Sequence, residues 1–535
     1  MDRLDALAAR WSDEGLATAL SALLFATVAW PLLFLPMPPY QDLPGHLATV
    51  TILLHPERYP DFVSNGWLKS NTALVAWTFF AGKVMGIQLA ARLFALGTLA
   101  ASALVLPRFV LHFTDRRRML VAAPLAWPMV HNWFVAMGML NFALAVALAL
   151  ALLVLLDRQR RAPTWPRAAG ILLLGLATWY ASSVPLALAG LLVVIEIARQ
   201  PSWPARWSHA ARLLPPLAPL ALLVALVVLH HATEAGGAHY GTLGEVQYEP
   251  PVWLLYDAWA DWFYPFTELE AWTLLPAAVL LLVAVARARE AIPFFSPWAL
   301  GALLALYLLL PWMLPGFGYV NDRVLPFLWM AALVRVPARL PRFTWGALVA
   351  AGALTAAGLA VDLFRVARDM DTYAAGVDAV PEGSRLLSLL FRTRVTSKNT
   401  WSLDSASGMY VTAKLTSAQD VWADSPTMPL RFRDEPDFFE DRLQVRRFVS
   451  TVATRDGYCE AQAARGLVTG DCAGDWRAKW DWLWREADAR FDRVLLFDPT
   501  DDALSTVPPT WRPCLRRGPL TVLERAPAAE TARHE

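Results

Sequence analysis

Charge and cysteine are what this sequence has least of. Only 17% of the 535 residues are Asp, Glu, Lys or Arg, against 56% hydrophobic residues and a positive mean hydropathy. That balance excludes an ordinary soluble globular chain and places the sequence among polytopic membrane proteins. The net charge of +1 carries no information about partners, but the charge distribution does. There are three cysteines, Cys459, Cys472 and Cys514, and none of their spacings is a zinc pattern. No Gly-rich phosphate loop is present, which argues against an ATP-driven pump. No basic stripe offers itself to nucleic acid, no Ser-His-Asp order is defensible, and no tandem repeat of 20–50 residues is visible. Ionisable residues are scarce in mid-span, Glu196 lying near a helix end, and this weighs against an ion-coupled transporter.

What is there is a series of apolar stretches. Eleven spans are expected near residues 16–36, 89–111, 119–135, 137–156, 168–181, 183–198, 212–230, 271–287, 296–314, 322–337 and 343–362. The first lacks a small-residue cleavage site before Tyr40 and reads as a retained helix, not a signal peptide. Arg116-Arg117-Arg118, Arg158 with Arg160 and Arg161, Arg199, Arg287 with Arg289, and Arg335 with Arg342 all fall on one side, which the positive-inside rule makes cytoplasmic. Segments 37–88 and 231–270 and the turn at 316–323 then face outward. With an odd number of spans the tail follows them, so the chain divides into a transmembrane part, 1–362, and an extracytoplasmic α/β part, 363–535. The scarcity of Lys beside Arg and Ala suggests a GC-rich bacterial genome and hence an inner membrane.

In the C-terminal part, residues 384–391, 493–497 and 520–523 are short apolar runs bounded by polar residues or proline, as buried strands are. Asp475 is expected to cap a helix carrying Trp476, Trp480 and Trp484 on one face, as core or as a sugar-stacking platform. Cys459 and Cys472 either pair or stay as thiols; the spacing allows both. The last ten residues read as a disordered tail.

Three places hold residues suited to chemistry. Tyr40-Gln41-Asp42-Leu43-Pro44-Gly45-His46 follows the first span, so Asp42 is expected at the membrane surface, in water. There it either acts as a general base on an incoming hydroxyl or caps a helix starting at Pro44. His46, one turn on, shares its face and is either a phosphate or acid partner or a solvated interfacial histidine. Tyr319-Val320-Asn321-Asp322-Arg323 places a guanidinium at the mouth of the tenth span, suited to gripping phosphate or pairing with Asp322. Lys83 and Arg92 flank the second span, as snorkelling anchors or phosphate ligands. The third place is His230, His231, Glu234, His239, Tyr240, Glu245, Glu249, Asp257 and Asp261, whose irregular spacing and intervening glycines favour a substrate-covering loop over a metal site. Trp253, Trp259, Trp262, Phe263 and Tyr264 supply an interfacial aromatic belt there.

On Asp42 with His46, on Gly138-Met139-Leu140-Asn141-Phe142 at the start of the fourth span, and on Asn321-Asp322-Arg323 with Leu325-Pro326, the layout resembles the GT-C superfamily of integral-membrane glycosyltransferases. That group includes protein mannosyltransferases and lipid A aminoarabinose transferases. The resemblance implies transfer of a sugar from a polyprenyl-phosphate donor, drawn from the membrane, to a glycan, lipid or protein acceptor on the outer face. Asp42 would be the base, with Arg323, His46, Lys83 and Arg92 around the donor phosphate, and the anomeric carbon would invert. The family commonly shows two acids at the first-loop site, whereas Gln41 and Leu43 flank Asp42 and the next acids are Glu57 and Asp61. A bridging divalent cation is thus not supported by paired acids, and no other cofactor is implied. The rival class is a non-catalytic membrane protein, either a lipid-linked-sugar flippase or an envelope scaffold.

Overall fold

The computed structural model describes residues 11–234, 246–314, 317–419, 421–423, 427–465, 467 and 471–526. His239, Tyr240 and Glu245 lie outside these residues, as do the side chains of His230, His231 and Glu234. Among the described residues, six helices are long and apolar enough to cross a membrane. They are Asp13–Phe34, Ile87–Phe113, Arg116–Ala136, Leu140–Arg161, Glu268–Ala286 and the long helix beginning at Arg342. A pair bent by 69°, Trp203–Leu213 with Ala218–Val227, makes a seventh if counted as one span. Ser183–Ala198 and Pro297–Leu309 are shorter apolar helices. The expected span at 322–337 is cut down to a 3-10 turn and the nine-residue helix Leu325–Leu333. At about 1.5 Å per residue that helix covers less than half of a hydrocarbon core.

The arginine-rich helix ends are tied to one another. His112 Nε2 lies 2.9 Å from Asp157 Oδ2, Arg118 donates to Glu290 Oε1 at 2.7 Å, and Glu196 pairs with Arg199 while accepting the Phe294 N–H at 3.1 Å. Arg335 is fully buried and donates to the carbonyls of Arg287, Glu290, Ala331 and Phe295. These cations close helix termini whose last carbonyls have no partner within the helix.

The other end carries the α/β part. Its sheet runs in the order Leu386–Leu390, Arg493–Phe497, Leu520–Arg525, Trp511–Arg517, with a parallel first pair and antiparallel neighbours after it. The first three strands match the expected runs; the edge strand Trp511–Arg517 had no apolar signature. Successive residues point to opposite faces, and both faces are covered. Leu387, Leu389, Val494, Leu496 and Leu523 pack on the helix Cys472–Arg490 through buried Trp476, Trp480 and Trp484, so the tryptophan stripe is core. Asp471, not Asp475, caps that helix, accepting the Gly474 N–H at 2.9 Å. Cys459 and Cys472 are joined by a disulfide, and Cys514 is free and exposed. The opposite face, Leu386, Leu495, Phe497, Leu520 and Val522, packs on Met370 and Tyr373 near the end of the helix Arg342–Ala374 and on Tyr410.

Two further joints bind this part to the segment between the first two long helices. Phe62–Ser64 pairs antiparallel with Leu430–Phe432, and the helix Gly408–Lys414 lies on Leu43–Leu54 so closely that a Cβ on Gly408 would sit 2.3 Å from the Pro44 carbonyl oxygen.

Candidate active site

Asp42 stands at the start of the helix Leu43–Leu54, with Pro44 in its first turn. It does not cap that helix: its φ is −86° and its carboxylate accepts no bond from the first turn. The expectation of an acid in water is also corrected, since Asp42 is 6% exposed. The reason is the loop after Asn132. Its N–H groups held, Gln41 and Asp42 donate to the carbonyls of Ala136 and Met137, both at 3.1 Å. Gly138 permits the approach, with φ +87° and a would-be Cβ 2.8 Å from Asp42 N, a position no other residue type occupies without strain. Three residues on, Asn141 takes the Leu74 N–H at 2.7 Å and donates to the Asn71 carbonyl at 2.8 Å, fixing the later part of the same segment as Asp42.

The C-terminal part closes the other side. Gln41 Oε1 accepts the Trp401 N–H at 2.7 Å, and Gln41 Nε2 donates to Asp42 Oδ1 at 3.3 Å. Asp404, buried close by in sequence, is held by Arg446 at 2.6 Å. Tyr319 connects these groups: its φ is +57°, it packs edge-on against Trp133 at 5.0 Å, and its phenol is held well above the ordinary range by burial and by the charges of Asp261, Asp42, Asp404 and Asp322. Arg323 lies in the following turn, mostly buried, its guanidinium over the rings of Phe317 at 4.2 Å and Phe142 at 5.2 Å while it donates to the Gly318 carbonyl. Its Nε has no partner among the described residues. A cation on aromatic faces with donors to spare is arranged to meet an anion.

Beside it lies an acid cluster that sequence reading assigned to a covering loop. Asp261, on the helix Pro251–Phe263, faces Asp322, whose two oxygens meet no other donor among the described residues. Burial first, and the charge of Asp322 second, push the Asp261 carboxyl well up. Asp257, facing Glu249, is raised by the same two causes to about 7, and Asn321 donates to Glu249 Oε2 at 3.2 Å. Among the described residues, no three His, Cys, Asp or Glu side chains converge as a metal-ligand set.

The other expected residues are spread more widely. His46 is 8% exposed, which corrects the solvated reading; burial lowers its imidazole to about 4, leaving it neutral, with Nδ1 unpartnered. Arg92 donates to the Pro36 carbonyl. Lys83 is exposed, 4.2 Å over the Phe79 ring, as an interfacial anchor would be. The structure therefore gathers Asp42, Tyr319, Asp404, Asp261 and Asp322 with Arg323 next to them, and leaves Lys83 apart. Asp404 and the buried Lys69 escaped sequence reading because neither belongs to a motif or an apolar period, and Tyr319 entered it only as part of the turn before Arg323.

No family model matches this sequence, and no curated protein matches it. By structure the chain is similar to ArnT from Cupriavidus metallidurans in the apo state, with a TM-score of 0.51 and 12% identity over 95% of this chain and 97% of that one. It also aligns with the arabinofuranosyltransferase AftD from Mycobacteria, with a TM-score of 0.45 and 16% identity over 96% of this chain and 41% of that one. The fold of this chain, helices of membrane length carrying a small α/β part at one end, is similar to that of ArnT.

Proposed function

We propose that this chain is a membrane glycosyltransferase that moves a sugar from a polyprenyl-phosphate donor to an acceptor on the outer face of a bacterial inner membrane. The observation that supports the reading is that, at one end of a GT-C-like fold, Asp42, held by backbone bonds, and Arg323, nearly buried and with an Nε that has no partner among the described residues, both lie within electrostatic reach of Tyr319. Asp42 accepts the proton of the acceptor hydroxyl. The hydroxyl oxygen attacks the anomeric carbon from the face opposite the phosphate, the carbon–oxygen bond to phosphate breaks, and polyprenyl phosphate leaves with inversion at carbon. Arg323 offsets the charge growing on the phosphate, the kind of stabilisation that usually weighs most. His46, neutral, offers a hydrogen bond and no charge. In this reading the N-terminus is cytoplasmic and the α/β part lies outside.

The test is transfer of labelled sugar from polyprenyl-phosphate donors in membranes carrying wild-type chain or Asp42→Asn at equal abundance. Losing a general base should slow transfer by about 10²–10⁴-fold with donor binding retained. Equal rates in both would remove Asp42 from the reaction, and no transfer with any donor would favour the flippase or scaffold.

A further inference from the structure

The Gln41 side chain touches both Asp42 and the C-terminal part: its Oε1 takes the Trp401 N–H at 2.7 Å and its Nε2 donates to Asp42 Oδ1 at 3.3 Å. The residue is 3% exposed and its own N–H is committed to the Ala136 carbonyl. A backbone N–H can only donate, so it fixes which end of the carboxamide is oxygen; the NH2 end is then obliged to face Asp42. Gly408 against Pro44 and the strand pairing of Phe62–Ser64 with Leu430–Phe432 keep the two chain segments in register. A hydrogen bond given to a carboxylate favours its charged form.

We infer that Gln41 is a positioning residue: its carboxamide, oriented by the Trp401 N–H of the C-terminal part, aims Asp42 and keeps it ionised. The inference rests on Asp42 being the base. It gives the α/β part a share in the reaction without contact to the sugar, and it accounts for an amide where an acid would otherwise stand beside Asp42. Other charged or titratable groups set the background for Asp42. They are His46 on its own helix, Tyr319 in the facing turn with Asp261 and Asp322 behind it, and Asp404 with Arg446 from the C-terminal part. The segment Trp133–Ala136 contributes no titratable side chain, and the same outer loop buries Lys69.

The discriminating substitution is Gln41→Glu. One glutamate oxygen still accepts from Trp401, but the other presents a negative charge, not a donor, to Asp42. In the full-length chain in detergent, dicyclohexylcarbodiimide modifies protonated carboxyls, and peptide mass spectrometry reads the extent at Asp42 against pH. The midpoint should rise by about one unit or more in Gln41→Glu, and by less in Gln41→Met, which removes the donor without adding charge. The acidic limb of sugar transfer should move up with it. Midpoints that coincide in all three proteins overturn the inference, and Gln41→Met decides the matter if Gln41→Glu does not fold. A moved midpoint together with full transfer by Asp42→Asn would leave the positioning intact and remove the base reading, so the two failures are separable.

Discussion

Individual residues at this site are held more tightly than their chemistry alone requires. Gly138 meets Asp42 with backbone at a positive φ, so Gly138→Ala combines left-handed strain with a steric conflict at the Asp42 amide. A cost of about 1–3 kcal/mol is expected, together with loss of transfer, read as a lower thermal midpoint and a lower rate in the same preparation. The acid cluster gives a pH prediction with a definite sign. Asp257 and Asp261 are raised by burial, so the folded state holds protons that the unfolded chain releases. For Asp257 the stabilising contribution is complete below about pH 4 and is lost as pH rises through about 7, and Asp261 acts in the same direction. Wild-type thermal midpoints should therefore fall between pH 5 and pH 8, and Asp261→Asn, a permanently neutral side chain, should flatten that fall. An equal slope in the variant would show that Asp261 holds no extra proton in the folded state. Asp42 was legible in the sequence because it ends a long uncharged run; Asp404 was not, because its burial depends on Arg446 and on a tertiary contact with no local signal.

At the scale of elements, the strands with continuous apolar character were legible and the edge strand was not. Residues 386–390, 493–497 and 520–523 are buried on both faces and read as apolar runs, whereas Trp511–Arg517 is exposed along most of its length and includes Pro513. The helix at Leu325–Leu333 was overestimated for the converse reason: apolar residues that fill a protein core look like residues that face lipid. The helix Cys472–Arg490 shows two kinds of support. Asp471→Ala should cost about 1 kcal/mol through its lost cap. Opening the Cys459–Cys472 bridge, which closes a loop 13 residues apart, should cost about 3 kcal/mol. Limited proteolysis of 455–490 in Cys459→Ser, compared with wild type, measures the second directly, and unchanged cleavage would mean that the tryptophan core holds the helix without the bridge.

For the whole molecule, the alternation of arginine-rich and arginine-poor ends made the membrane architecture legible, while the number of spans was not, since short helices lean on neighbours instead of crossing alone. Sidedness is testable with a residue already present. Cys514 is the one free thiol and is exposed, so a membrane-impermeant maleimide should label it in intact spheroplasts if the α/β part lies outside. Labelling only after lysis would reverse the orientation. One feature of the fold bears on how the protein is made. The segment after the first long helix finds its partners far along the chain: Tyr59 with Thr416, Gln41 with Trp401 and Asn65 with Met428, each about 360 residues away. During synthesis, every span is threaded before those partners leave the ribosome, so Asp42 waits in an unfinished loop until translation is nearly over. A chain that ends before residue 401 therefore lacks the groups that hold Gln41, Tyr59 and Asn65, and Asp42 stays without its finished surroundings.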